Sequence, residues 1–162
     1  LNAAEFARHY ADKPQTDTEE YLSLSGEMCW DAVVLCAHRS GALSKAKYKQ
    51  LWQTVFDKQY KHFVSPDDTE IRTMADMLRA PQGCFIGIFS LRDAAAPRLL
   101  HAMIGTGAGF AAGNKNLCIG VGGAVGWENL NLARDLRWQP EGGFLRQGDN
   151  EVLRIFYRPF PA

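Results

Sequence analysis

The hydrophobic pattern changes period once, at Gly83. Before it, apolar residues recur at three- and four-residue spacing; after it they run in short segments separated by glycine. A chain that reads helical first and extended second is expected to be α+β, with N-terminal helices packed on an antiparallel sheet of about four to six strands. At 162 residues it has the length of one domain, 1–162, with a helical half to about residue 82 and a sheet half from about 83. With 46% hydrophobic and 22% charged residues, it can bury a sizeable core.

A short opening helix is expected over 3–11, then a polar linker through Lys13, Pro14 and Thr16. GEMCWDAVVLCAHRSGAL has Gly26 before it and Ser40-Gly41 after it, boundaries for a helix from about Glu27 to His38. Its apolar character places it centrally. Tyr48, Leu51, Trp52, Val55, Phe56, Tyr60 and Phe63 follow amphipathic spacing and predict a helix from Leu43 to Phe63. Ser65-Pro66-Asp67-Asp68 reads as a cap and first turn, launching a helix with Ile71, Met74, Ala75 and Leu78 inward and ending at Pro81-Gln82-Gly83. Strands are predicted at 84–91, 98–105, near 109–112, at 116–122 and at 152–160. Trp127–Leu132 reads either as a short helix or as a cover over a cleft.

Eighteen basic residues balance eighteen acidic ones. A zero net charge supplies no field for phosphate backbones or anionic membranes, so nucleic acid is not an expected partner. The longest apolar run, Ala32 to Ala37, is far short of the roughly 20 residues that cross a bilayer, so no stable membrane insertion is expected. The opening LNAAEFARHYADK has neither an initiating methionine nor a signal-peptide pattern, and is read as the start of an excised or processed piece.

Cys29, Cys36, Cys84 and Cys118 are expected as free thiols. Cys29 and Cys36 share one helix roughly 10 Å apart, beyond disulfide reach. No CxxC pair exists, and Cys36 and His38 point to different helix faces, so neither metal nor cofactor is expected. Cys36, Cys84 and Cys118 read as packing residues. Cys29 differs because it falls in the first turn of the central helix, where unpaired amides and the helix dipole favour a thiolate and can serve an oxyanion.

Among four histidines, His9 and His62 fall at solvated helix ends and His38 near the C-terminal end of the Cys29 helix. His101 interrupts the apolar run Leu99-Leu100-His101-Ala102-Met103-Ile104, where an unpartnered imidazole is costly. It is the candidate base, set against a core histidine bonded to a backbone carbonyl. Asn116, fifteen residues later, is the candidate that orients it; Asn114 and Asp149 are alternatives. Gly113–Asn116 also reads as a simple turn.

Cys29-Trp30 at a helix start, His101-Ala102 in a later strand and Asn116 beyond it together resemble the papain-like cysteine hydrolase superfamily. The short length and the order Cys, His, Asn resemble its bacterial effector and toxin domains, proteases and glutamine deamidases among them. The resemblance implies a papain-like catalytic core with a Cys29–His101–Asn116 triad, a protein substrate, a cognate inhibitor or immunity protein, and secretion or delivery into a target cell. Tyr21-Leu22-Ser23-Leu24-Ser25 stands where such proteases carry glutamine, so the oxyanion is expected to rely on backbone amides or on Ser23, Ser25 or Glu27 neighbours.

Peptidoglycan amide cleavage shares this chemistry. A different class, a non-catalytic binding module, would present Trp127, Trp138 and Tyr157 to a protein partner. A nucleotide site in GTGAGFAAG, with Lys115 nearby, lacks the Lys-Ser/Thr ending of a phosphate loop.

Overall fold

In a computed structural model, residues 2–12, 19–51, 59–115 and 117–160 are described. The helices are α1 (Ala3–Asp12), α2 (Glu19–Gly26), α3 (Cys29–Arg39), α4 (Lys45–Leu51), α5 (Met74–Arg79) and α6 (Leu132–Asp135), with a 3-10 turn at Gln59–His62. The strands are β1 (Thr69–Ile71), β2 (Cys84–Ser90), β3 (Arg98–Gly107), β4 (Phe110–Asn114), β5 (Trp127–Asn131), β6 (Arg137–Trp138), β7 (Phe144–Leu145) and β8 (Val152–Pro159). All pairings are antiparallel, in the order β5-β4-β3-β2-β8-β7-β6, with β1 added against β8.

The fold is therefore α+β, with eight strands among the described residues where four to six were expected. β1, β6 and β7 have only two or three residues each, too few to show a period of two.

The sheet separates two cores. β2 alternates between them: Phe85 and Phe89 face the helical side with α1 and α3, while Cys84, Ile86 and Ile88 face the side carrying α5 and α6. With both faces covered, β2 reads as one continuous apolar run. Gly87 lacks a side chain for a physical reason: a Cβ there would lie 2.9 Å from Val64 Cγ1.

α1 begins with a reciprocal cap, the Glu5 amide donating to Asn2 Oδ1 (2.9 Å) and the Asn2 amide to Glu5 Oε2 (3.0 Å). α3 is buried from Trp30 to Ala37 and stops at Gly41, whose φ of 86° ends it in the left-handed region. Trp30 anchors it, stacking on Phe85 at 5.8 Å between centroids and donating from its indole to Leu51 O (3.3 Å).

Several expectations are corrected. Ser65–Asp68 makes a turn closed by Asp68 Oδ2 on the Ser65 amide (2.7 Å), and the chain enters β1 rather than a helix because Thr69–Ile71 pairs with Tyr157–Ile155. Thr73, not Ser65, caps the following helix, accepting from the Asp76 amide at 3.1 Å. That later start turns Met74 and Leu78 outward, both 51% exposed, and Met77 inward. Of the helix predicted from Leu43 to Phe63, α4 begins only at Lys45, capped by Ser44; Trp52, Val55 and Phe56 lie outside the described residues, as do Lys13, Pro14 and Thr16.

Residues 117–122 form turns, not the predicted strand, because Gly120 and Gly122 take φ of 82° and 89°. Trp127–Asn131 is instead the strand beside β4. In GTGAGF, Ala108 and Gly109 form a two-residue hairpin turn with positive φ at both positions, joining β3 to β4. β1 also places a strand in the helical half, and α6 a helix in the sheet half.

Candidate active site

Cys29 is the first residue of α3. The preceding Met28 contributes no side-chain cap, which leaves first-turn amides available to a negative group. The amides of Cys29 and Trp30 act on the Cys29 sulfur, and so does the Ala102 amide on β3. The helix start thus meets the strand at the residue directly after His101.

β3 is irregular there. Ile88 lies opposite His101 and Phe89 opposite Leu99, so Leu100 is an extra residue in a β-bulge. On its other edge, β3 pairs with β4 only from Ile104 to Gly107, and ahead of that stretch sulfur takes the ladder's place. Cys118 Sγ donates to Leu100 O at 2.9 Å, while Ala102 N–H faces Cys29. Two thiols therefore dock on the two residues flanking His101.

His101 is 1% exposed. Its Nε2 lies 3.7 Å from where a Cβ on Gly113 would stand, and that atom would also sit 3.1 Å from Ala102 O. Glycine lets β4 cross this close to the imidazole.

Burial sets the charge state. Loss of hydration pushes His101 down to about 4, so its imidazole is neutral at pH 7. The same cause raises the Cys29 thiol, outweighing the Ala102, Trp30 and Cys29 amides that pull it down, and Asp31 raises it further. The expected thiolate at the helix start is corrected accordingly: the resting pair is thiol and imidazole, both uncharged.

Of the candidate orienting residues, Asn116 lies outside the described residues. Asn114 ends β4, buried, with Nδ2 donating to the Glu27 carbonyl two residues before Cys29. Its Oδ1 has no hydrogen-bond partner among the described residues. Asp149 is held by Arg146 through two bonds of 3.1 and 2.5 Å, which lowers its carboxyl to about 2.

Of the residues considered for the oxyanion, Ser25 Oγ is occupied by Tyr21 O at 2.7 Å. Cys36 and Cys84 are wholly buried, each pushed to about 12 by burial. His9 and His62 are exposed, and His38 meets Leu43 O at 3.2 Å and stacks on Tyr48. Trp127 is 2% exposed with its indole donating to Ala7 O, which removes it from any aromatic docking surface. Among the described residues no group of three His, Cys, Asp or Glu side chains is arranged to hold a metal ion, and no helix is long and apolar enough to cross a membrane.

Cys118 is the residue beside the candidate site that sequence reasoning passed over: it reads as one more packing cysteine, yet it is half-buried and lines a cleft of about 430 Å³. Arg92, Arg98 and Arg146 border that cleft. Glu151 takes Arg92 and Arg146 at 3.2 and 3.0 Å; Arg98 has no carboxylate partner among the described residues. Compared with known proteins, the chain matches no family model, no curated protein and no solved structure.

Proposed function

We propose that this domain is a cysteine-dependent amide hydrolase with a papain-like core, a bacterial effector or toxin domain that deamidates or cleaves a protein substrate. The observation that carries the reading is the seat of the Cys29 sulfur, on the first residue of α3 and against the amide next to His101.

In this mechanism the Cys29 sulfur attacks the amide carbonyl as His101 takes the thiol proton. Because both groups rest uncharged, transfer accompanies attack rather than preceding it. Amides at the α3 start receive the oxyanion. His101 returns the proton to the departing nitrogen, leaving a thioester that water, activated by the same imidazole, hydrolyses. Asn116 is assigned to orient His101, and Asn114 to fix the Glu27 carbonyl and hence the approach to Cys29. Arg98, which lines the same cleft as Cys118 and has no carboxylate partner among the described residues, favours substrates that carry a carboxylate, a feature peptidoglycan stem peptides share, so cell-wall amide cleavage stands as the second reading.

Iodoacetamide labelling with site assignment by mass spectrometry tests the pair. With His101 as base, Cys29 keeps a substantial labelling rate below its thiol pKa. In His101→Ala that rate falls about tenfold per pH unit, as for an unassisted thiol, and amide hydrolysis drops by about 10²–10⁴. Identical pH profiles in the two proteins overturn the assignment.

A further inference from the structure

We propose that Cys29 and Cys118 are a disulfide-forming pair, and that their oxidation reversibly blocks the Cys29 thiol. The inference rests on the reading of Cys29 as the reactive group and extends it to a second cysteine.

The geometry is local. Cys118 Sγ is on Leu100 O at 2.9 Å and Ala102 N–H faces Cys29; these anchoring residues are two apart on one strand, a span of about 7 Å at most. Both thiols are half-buried, whereas Cys36 and Cys84 are sealed in the two cores. Cys118 borders the open cleft and Cys29 is itself partly exposed, so a small oxidant has access to both sulfurs. Cys118 also lies in a segment of turns rather than in a strand. Drawing its sulfur onto Cys29 breaks no ladder pairing, and the contacts it loosens include those to Leu100 O and from Arg146 Nη1 to Cys118 O (3.0 Å). Consistent with their closeness, charge on Cys29 makes Cys118 harder to ionise.

With hydrogen peroxide as oxidant, the Cys29 sulfur attacks one peroxide oxygen. The S–O bond forms, the O–O bond breaks, and the departing hydroxide takes a proton to leave as water. The Cys118 sulfur then attacks the sulfenic sulfur; S–S forms, S–O breaks, and hydroxide leaves as a second water with the Cys118 proton. Two thiols lose two electrons and one peroxide becomes two waters. A dithiol reverses the bond by exchange.

The test treats the protein with hydrogen peroxide at pH 8, where more of each thiol is ionised, followed by digestion without reduction. The expected product is a peptide pair joined through Cys29 and Cys118. Iodoacetamide labelling of Cys29 falls by about tenfold or more and returns with dithiothreitol. In Cys118→Ser, Cys29 labels before treatment but peroxide carries it to sulfinic acid, which dithiothreitol does not reverse. Wild-type Cys29 oxidised beyond recovery while Cys118 stays a free thiol, or Cys29 linked to Cys36 or Cys84, overturns the pair and leaves the hydrolase reading standing. Cys29 inert to both peroxide and iodoacetamide overturns both.

Discussion

Polar groups are treated in opposite ways at the candidate site and along the sheet rim at β1, where it pairs with β8. Around His101 they are buried and uncharged: an imidazole pushed down to about 4, a raised thiol and an amide whose oxygen has no hydrogen-bond partner among the described residues. On the rim they are charged and partly solvated, with Glu70 between Arg72 and Arg154 and Asp68 against Arg158. Burying uncharged polar groups costs folding energy, whereas ion pairs that keep part of their hydration contribute little either way. The two regions therefore differ in what their polar groups cost the fold.

The comparison breaks most readily with acid. His101 has a folded pKa below its unfolded value of about 6.5, so between pH 6.5 and 4 the unfolded chain takes up the proton first. Stability is full above that window and falls as pH drops through it, by about 3 kcal/mol for this group. Denaturant melts at pH 4.5 and 7.5 are expected to differ less in His101→Gln than in wild type; equal differences mean that His101 titrates normally in the fold.

A smaller effect is expected at Asn114. Replacing it by alanine removes the tie to Glu27 and also a buried Oδ1 that has no partner among the described residues, so the net loss is about 1–2 kcal/mol. Cys29 labelling should change along with stability; an unchanged labelling rate would dissociate Asn114 from the helix start. The smallest change belongs to the rim. Glu70→Gln should cost less than about 1 kcal/mol, and the cost should shrink further in high salt. A salt-independent loss of several kcal/mol would erase the contrast between the two regions.

What was legible in the sequence follows the range of the forces involved. α3 showed through its glycine boundaries, Gly26 and Gly41, and its unbroken apolar run. β2 and β8 showed through length and composition, and His101 stood out as one polar residue among apolar ones. The surroundings of those residues were not legible. Asn114 meets Glu27 across 87 positions, and Cys118 meets Leu100 across 18, after the chain has reversed at Ala108-Gly109. Thr73 as a helix cap competed with a stronger local signal at Ser65-Pro66 and prevailed because Ile71 was needed in the sheet.

The bulge at Leu100 makes part of this site a matter of chain length rather than side-chain identity. Leu99 already faces Phe89 and His101 already faces Ile88, so a chain one residue shorter at this point keeps both pairings and loses the carbonyl that holds Cys118. An insertion or deletion in β3, ordinarily ruinous to a central strand, is here absorbed by a position outside the ladder. The microenvironment of the thiols can therefore change in a single indel step while the sheet stays in register.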